Sequence, residues 1–525
     1  MEENVTSALI SVSDKTGLLH FAKELRKFNI KLISSGGTAE YLRKGGVEVT
    51  DVAEITKYPS MMDGRLKTLH PLVHGGILAI RSNKKHRQDM EKYGIEPIDM
   101  VVVNLYPFES TIANPKVSIE EAIENIDIGG PTMVRAAAKN YRDVAVVVNP
   151  ANYSMILDEL RKTKGKISLP VKERLAVEAF RHTSYYDSVI HGFLNSKFTR
   201  DIYPEEKAIA FRKVSELRYG ENPHQPASFY KEMPEDPYGI HKAGKLWGKE
   251  LSFNNYIDLD AAWSIVSYFA DPAAVVIKHT NPCGAALADN ISEAYKKAFN
   301  ADPVSAYGGI VGLNRECDDR AANQIGETFI ECVIAPSYSN KALDILKEKK
   351  NLRIMQFDVP RAGVSKKTFL GSLHPLDMKR VRGGLLMQEL DLAELAVPEV
   401  KVVTKREPTV DEMEDLFFAW GVAKFVKSNA IVIAKDKVTL GIGAGQMNRV
   451  GSTKIAIEGA GDKARGAVLA SDGFFPFADS IKAAAEAGVA AFIQPGGSVR
   501  DQEVIDEADR HNVAMVITGM RHFRH

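Results

Sequence analysis

Apolar and polar residues follow one another in short blocks through the first 150 positions. Residues 8–12 (Ala-Leu-Ile-Ser-Val) predict a buried strand, residues 13–16 a polar loop, and residues 17–28 a helix with Leu18, Leu19, Phe21, Ala22 and Leu25 at i+3/i+4 spacing. The pattern then repeats, with a strand at 30–34, a loop at Ser35-Gly36-Gly37-Thr38 and a short helix at 39–44. Two more apolar runs, 100–103 and 144–148, predict further strands. Successive strand-loop-helix units predict a parallel sheet whose ligands sit beyond the C-terminal strand ends, where Asn104-Leu105-Tyr106-Pro107 would lie. Residues 151–196 read as a helical connector, with Leu157, Leu160, Leu175, Val177, Ala179 and Phe180 spaced for packing and breaks at Gly165 and Pro170. Past residue 200, Ala274-Val275-Val276-Ile277-Lys278-His279 and Ala430-Ile431-Val432-Ile433-Ala434-Lys435 echo each other, which is consistent with a duplicated α/β fold.

A chain of 525 residues exceeds a single core and predicts about two to four folding units. Lys+Arg and Asp+Glu both number 68, so no broad basic face argues for nucleic acid or a membrane surface, and any anionic partner is small and locally bound. No apolar run reaches the ~18 residues of a bilayer span. Cys283, Cys317 and Cys332 are too few for a disulfide framework, and Met1-Glu2-Glu3 is acidic where a signal peptide is basic, so a reducing cytosol is expected.

The glycines mark the chemistry. Ser35-Gly36-Gly37-Thr38 at a helix start suits phosphate, because glycines allow close backbone approach while N–H groups and hydroxyls donate. Ser11-Val12-Ser13-Asp14-Lys15 offers the same at the neighbouring strand end. Gly64-Arg65-Leu66-Lys67-Thr68 is a basic loop, and Asp127-Ile128-Gly129-Gly130 opens a helix that runs on to Lys139, with amides suited to an oxyanion. Lysines near a carboxylate and Tyr106 suit proton transfer. In the second region Lys278-His279 leaves an apolar strand straight into a turn, and His works as a base near its own pKa. Pro282-Cys283 invites comparison with zinc deaminases, but Ala286 stands where a second cysteine would be needed and Asn281 where a glutamate would be, so no zinc is expected. The glycines at 441–445 miss the dinucleotide fingerprint. Phe474, Phe475 and Phe477 could sandwich a heterocycle, and Arg521-His522-Phe523-Arg524-His525 reads by itself as a frayed tail.

In order along the chain stand Ser-Val-Ser-Asp-Lys-Thr-Gly, Ser-Gly-Gly-Thr, Gly-Arg-Leu-Lys-Thr-Leu-His-Pro, Asp-Ile-Gly-Gly-Pro-Thr, Arg-Ala-Ala-Ala-Lys-Asn, Leu-Arg-Tyr-Gly-Glu-Asn-Pro-His-Gln, Lys-His-Thr-Asn-Pro-Cys-Gly, Ser-Asp-Gly-Phe-Phe-Pro-Phe and Arg-His-Phe-Arg-His. Together they closely resemble the bifunctional AICAR (aminoimidazole carboxamide ribonucleotide) transformylase/IMP cyclohydrolase family. The resemblance implies an α/β chain: a methylglyoxal synthase-like parallel-sheet domain at 1–150, a connector at 151–199, and a duplicated cytidine deaminase-like region at 200–525, split near 370–400. It implies that the first domain closes formyl-AICAR to IMP. Ser11, Ser13, Asp14, Lys15, Ser35, Gly36, Gly37 and Thr38 would hold phosphate and ribose. Arg65, Leu66, Lys67, Thr68, Asn104 and Leu105 would surround the base. Lys139 would carry the proton, assisted by Lys67, Tyr106 and Asp127, with the amides of Ile128 and Gly129 stabilising the oxyanion.

The same resemblance implies that the second region transfers the formyl group of 10-formyltetrahydrofolate to AICAR, with His279 as base and Lys278 stabilising the tetrahedral intermediate or protonating the leaving nitrogen. AICAR contacts carry over to Arg218, Tyr219, Asn255, Gly308, Glu331, Asn429, Arg449, Phe474 and Arg521, and folate contacts to Val450, Asp479, Ser498 and Val499. Glu331, Tyr307 and Ser480 depart from residues found in some members (Asp, Phe and Asn). A homodimer with transformylase sites across its interface, and a potassium ion in that region, belong to the same expectation. The alternative is that only one activity is retained and the other region is a nucleotide-binding or dimerisation scaffold; the intact Lys278-His279 pair argues against it.

Overall fold

The computed structural model describes residues 3–236, 238–358, 376–395 and 399–525. The chain forms two compact units, one of residues 1–211 with 232–234 and one of 212–231 with 235–525.

The first unit is built on a five-stranded sheet of order β3-β2-β1-β4-β5, with every neighbouring pair parallel. Its strands are β1 Ser7–Val12, β2 Lys31–Ser34, β3 Thr50–Asp51, β4 Met100–Asn104 and β5 Ala145–Val147. Strands β1, β4 and β5 are buried almost throughout, as expected where helices cover both faces of a parallel sheet. The predicted helix at 17–28 is seen as Leu18–Lys27 and buries Leu18, Phe21, Ala22 and Leu25. The second helix starts earlier than the sequence pattern suggests, at Gly36 rather than Ala39, with Ser35 as its N-cap. The Ser-Gly-Gly-Thr stretch is therefore the first helical turn, and its N–H groups have no partner within the helix.

Residues 153–163 and 169–197 are helices. Gly165 lies between them at φ 100°, whereas Pro170 sits in the first turn of the longer helix, where its missing N–H costs nothing. The stretch expected as a connector is built into this unit: Ile156, Leu160, Leu175, Ala179, Val189 and Phe193 share one core with Leu9, Val101 and Val146.

Two hairpins, β6 Ala210–Leu217 with β7 Ala227–Met233 and β14 Leu376–Val381 with β15 Gly384–Glu389, stand apart from the main sheets. The second unit is organised by a twelve-stranded mixed sheet, ordered β16-β21-β20-β19-β17-β18-β10-β9-β11-β12-β13-β8. The strands of one half are β8 Gly244–Trp247, β9 Ala273–Lys278, β10 Asn281–Leu287, β11 Ile310–Leu313, β12 Cys332–Ala335 and β13 Arg353–Gln356. The other half has β16 Lys401–Val402, β17 Ile431–Lys435, β18 Val438–Gly443, β19 Val468–Ser471, β20 Ala491–Gln494 and β21 Ala514–Ile517.

The halves repeat one plan. Each has an antiparallel hairpin, a third strand antiparallel to the hairpin's first, two further parallel strands, and an antiparallel edge strand. Each hairpin's second strand carries a glycine that lets a helix approach: a Cβ on Gly284 would lie 2.0 Å from the Ala298 carbonyl, and one on Gly441 1.9 Å from that of Ala456. The two sequence segments that echo each other are thus the first strands of equivalent hairpins, in which Lys278, paired with Asn281, corresponds to Lys435, paired with Val438. The split expected near 370–400 falls partly outside the described residues.

The halves meet where β10 pairs antiparallel with β18 at Ala286 and Val438. The ladder is short there, and a side chain completes it. The Thr439 hydroxyl accepts from the Ala285 N–H at 2.9 Å and lies 3.2 Å from the Ala285 carbonyl, to which it donates. Thr439 is wholly buried, so its removal strands both main-chain groups. Thr439→Val, which keeps the shape, is expected to destabilise the second unit by about 1–3 kcal/mol. Chemical denaturation followed by fluorescence checks this; an unchanged midpoint would count against the seam.

Candidate functional site

A cleft of about 720 Å³ opens in the first unit at the C-terminal ends of β1, β2 and β4. It is lined by Ser11, Ser13, Lys15, the turn Ser35, Gly36, Gly37 and Thr38, the loop residues Gly64, Arg65, Lys67 and Thr68, and Asn104, Tyr106, Asp127, Ile128 and Gly129. The helices Gly36–Lys44 and Gly129–Lys139 both begin at this cleft, so two sets of unpaired N–H groups and two positive dipole ends meet there.

Local ties hold the walls. Thr38 is buried, and its Oγ1 accepts from the Val12 N–H (3.1 Å) and donates to the Val12 carbonyl (3.0 Å). The Asn104 Oδ1 accepts from the N–H groups of Ser13 (2.7 Å) and Asp14 (2.8 Å), and its Nδ2 donates to the Asp14 carbonyl (3.0 Å). Both side chains, expected as substrate contacts, are engaged in shaping the β1 loop. Glycine is required at position 64, where φ is 93° and a Cβ would lie 2.7 Å from the Lys67 Cε. The Lys67 Nζ would also stand 3.4 Å from a Cβ on Gly36, so the ammonium rests over the phosphate-type turn.

Across the cleft, Arg65 pairs with Glu124, which holds that carboxyl below its usual range. Burial pushes the Asp127 carboxyl up, against the pull of hydrogen bonds from the Gly130 N–H (2.8 Å) and the Tyr106 backbone. A Cβ on Gly130 would lie 2.4 Å from the Asp127 Oδ2, so only glycine admits the carboxylate there. Tyr186, from the long helix, accepts from the Asp127 N–H at 2.9 Å. Burial first, then the charges of Asp127 and Glu124, push the Tyr106 phenol up.

Four of the expected residues stand outside the cleft lining. The Thr16 hydroxyl, and then the Thr16 N–H that donates to the Asp14 Oδ1, lower the Asp14 carboxyl. Leu66 bridges back to Met61, and Leu105 is buried beneath Gly130. Lys139 is exposed at the far end of its eleven-residue helix, about 15 Å along the axis from Gly129, and borders a separate groove with His74, Leu78, Val177 and Phe180. Conversely, Val12, Gly64, Ile123, Glu124, Ile126, Gly130 and Met133 line the cleft without having been singled out as contacts. Glu124 is the informative one, and its only sequence signal is its nearness to Asp127.

In the second unit the β9–β10 hairpin turns through His279 and Thr280, both left-handed at φ 52° and 64°. The Lys278 Nζ donates to the Tyr307 carbonyl at 2.9 Å, next to Gly308, and His279 is exposed. The Asn255 Nδ2 donates to Glu331 at 3.0 Å, and Glu331 lies 3.6 Å from Arg353. Asn281 joins this group to the other half: its Nδ2 donates to the His279 carbonyl (3.1 Å) and its Oδ1 accepts from the Lys427 N–H (3.0 Å). Two residues on, the Asn429 Oδ1 accepts from the Arg449 Nη2 (2.8 Å). Arg449 also donates to Ser471 (2.8 Å) and to the buried Asp472 (2.5 Å).

The C-terminus is anchored here rather than frayed. The His522 N–H donates to the Asp472 carbonyl at 3.1 Å, and the Ser428 N–H to the Arg524 carbonyl at 2.9 Å. Arg521 is exposed and stacks over Phe523 at 4.4 Å. Of the aromatic turn, Phe475 is core while Phe474 and Phe477 are exposed. Arg218 stacks over Tyr219 (5.2 Å) in a loop that Asn254 touches at Glu221. Val450 follows Arg449 at a helix start; Asp479 begins another helix, and Ser498 and Val499 sit in an exposed turn beside Arg500, which covers Phe477 at 4.8 Å. The Ser480 Oγ is buried without a hydrogen-bond partner, and the Tyr307 ring is exposed beside Phe329. Burial pushes all three thiols up, Cys283 to about 12. Among the described residues no helix is long and apolar enough to cross a membrane, and no three His, Cys, Asp or Glu side chains are grouped to hold a metal ion.

Fold and site define a two-unit α/β protein with a cleft on a parallel sheet, where two helices begin, and a hairpin turn bearing Lys278 and His279 in a duplicated unit. The model of the MGS-like domain matches residues 17–132, and that of the AICARFT/IMPCHase bienzyme matches residues 137–459. The bifunctional purine biosynthesis protein PurH of Acetivibrio thermocellus is 51% identical over 521 residues, 99% of this chain and 100% of its own. That of Bacillus subtilis is 52% identical over 521 residues, again 99% and 100%. The chain belongs to the AICARFT/IMPCHase bienzyme family.

The raised Asp127 carboxyl has a consequence for stability. Its charge costs the fold at neutral pH, and that cost fades as pH falls through the raised value toward the ordinary 3.8. Asp127→Asn keeps an acceptor for the Gly130 N–H without the charge. Its melting temperature is expected to exceed the parent's at neutral pH, with the gap closing toward pH 4, as calorimetry across pH would check.

Proposed function

We propose that the chain catalyses two consecutive reactions: formyl transfer from 10-formyltetrahydrofolate to AICAR, giving formyl-AICAR and tetrahydrofolate, then dehydrative closure of formyl-AICAR to IMP. The observation that carries this reading is the likeness to PurH over 99% of the chain, which embraces both the cleft and the Lys278-His279 turn. Residues 1–150 are assigned to closure, 151–199 to the helices that pack against that domain, and 200–525 to transfer. The protein is taken to work in the cytoplasm as a homodimer. A potassium ion in the transformylase region belongs to the same reading and is tested by assaying in potassium against sodium buffers.

For closure, Ser11, Ser13, Lys15 and the turn 35–38 take the phosphate and ribose, with Arg65, Lys67 and Thr68 about the base. The carboxamide nitrogen is a poor nucleophile, so proton removal and charge stabilisation carry the rate. As it attacks the formyl carbon, the nitrogen gives up its proton and the formyl oxygen becomes an oxyanion. The Gly130 N–H is committed to Asp127, so the amides of Ile128 and Gly129 are left to meet that charge. Lys67, Tyr106 and Asp127, which line the same cleft, would assist, and loss of the hydroxyl as water completes the ring.

For transfer, the 5-amine of AICAR attacks the formyl carbon of the folate while His279 takes the amine proton. The bond from that carbon to the folate nitrogen then breaks, and Lys278 stabilises the intermediate or protonates the departing nitrogen.

The purified protein given AICAR and 10-formyltetrahydrofolate, without ATP or divalent metal, is expected to yield IMP. Lys67→Ala is expected to slow closure by about 10²-fold or more and to spare transfer, and His279→Ala to do the reverse. Loss of both activities in either folded variant would sink the two-site reading. Lys139→Ala is assayed beside them: loss of closure there, with Lys67→Ala unaffected, would assign the proton to Lys139.

A further inference from the structure

The turn that carries His279 is held by an aspartate to which no role has yet been given. The Asp258 Oδ1 accepts from the Thr280 N–H at 2.7 Å, and the His279 N–H lies within reach of the same carboxylate. Both turn residues are left-handed, a conformation that a β-branched threonine resists. The second half of the unit repeats this arrangement with different residues in the turn. Its hairpin turns through Asp436 and Lys437, both left-handed, and the Asp415 carboxylate accepts from their N–H groups at 2.9 and 2.7 Å.

Asp258 is the sixth residue of the helix Phe253–Tyr268 and stands twenty before Lys278. Asp415 is the sixth residue of the helix Val410–Ala423 and stands twenty before Lys435. Even the lysines correspond: the Lys278 Nζ donates to the carbonyl three residues before β11, and the Lys435 Nζ to the one three residues before β19, at 3.3 Å. The clamp is thus a device of the duplicated fold. At one copy it presents a histidine and at the other an aspartate, so the molecule contains its own control for what the clamp does to stability and what it does to chemistry.

We propose that Asp258 is a positioning residue for formyl transfer, fixing the His279–Thr280 turn so that the imidazole stands ready beside Lys278. Two further ties bear on the same turn. Asn281 holds the His279 carbonyl from the other side, and Glu331, a proposed AICAR contact, lies close enough to Asp258 for their charges to interact. A shift of the turn therefore moves the base relative to the substrate without removing any group that touches substrate. The claim rests on the reading of His279 as the base of the transferase.

The test compares Asp258→Asn, Asp415→Asn and His279→Ala in the full-length protein, with closure of formyl-AICAR by the first unit as the internal measure of folded enzyme. Asp258→Asn is expected to lower the transfer kcat about ten- to a hundredfold while the KM for AICAR and for the folate changes less than threefold. Asp415→Asn is expected to leave kcat within twofold. Thr280→Gly added to Asp258→Asn, by easing the left-handed position, is expected to recover at least threefold in kcat. A kcat within twofold of the parent for Asp258→Asn, an equal loss for Asp415→Asn, or no recovery with the glycine would each overturn the proposal. Full transfer by His279→Ala would instead remove the reading beneath it; an inactive His279→Ala with an unimpaired Asp258→Asn would remove the positioning role alone.

Discussion

A strand that stops leaves main-chain N–H and C=O groups without ladder partners, and a buried group left so costs about 1–3 kcal/mol. This chain meets that constraint with side chains at nearly every point where its chemistry is placed. Thr38 takes both main-chain groups of Val12, Asn104 takes the N–H groups of Ser13 and Asp14, Asp258 and Asp415 take the two hairpin turns, and Thr439 takes Ala285. Against a total stability of about 5–15 kcal/mol, few such ties can be lost together. The loops at the cleft and at the two hairpin turns are therefore among the most constrained parts of the backbone, which would suit sites that depend on charge held in a fixed place.

The same economy explains the neutral net charge. The cleft of the first unit draws on Lys15, Arg65 and Lys67 with two helix N-termini, and sets Glu124 and Asp127 against them. Arg65 is paired with Glu124, while Lys67 is seated against Gly36 and Gly64 at the Ser-Gly-Gly-Thr turn. A small anion can be held this way by a few dipoles and charges in a partly enclosed space, with no basic surface.

What could be read from the sequence was local. Apolar runs and their glycine punctuation marked the strands and anion loops of the first unit, because strand burial and positive φ leave direct traces in residue type. What could not be read depended on partners far along the chain. An amphipathic stripe shows that residues 151–199 bury one face but not which core receives it. Lys139 lies on the helix that begins at the cleft, yet eleven residues of helix carry it to another groove. Thr439 looks like an ordinary strand residue until Ala285, 154 positions away, is set beside it. The five terminal residues carry no apolar pattern, and their order comes from main-chain bonds to Ser428 and Asp472.

The duplicated unit presents one turn geometry twice, with different residues at its tip. Hairpin, helix, aspartate clamp and lysine tie are all present twice, so none of them alone makes a site. At the second copy the histidine is replaced by Asp436, and the turn borders a cavity it shares with Asp271, Asp289 and Glu293. That lining sets Asp271, Asp289, Glu293 and Asp436 against Lys297 and Lys437 and contains no histidine. At the first copy, His279 follows a lysine, and Asn281 ties its main-chain carbonyl to the segment of Lys427 and Asn429 in the other half, where Asn429 accepts from Arg449. On the proposed reading one half would supply the base and the other the cationic wall, and the two halves are joined where β10 pairs with β18.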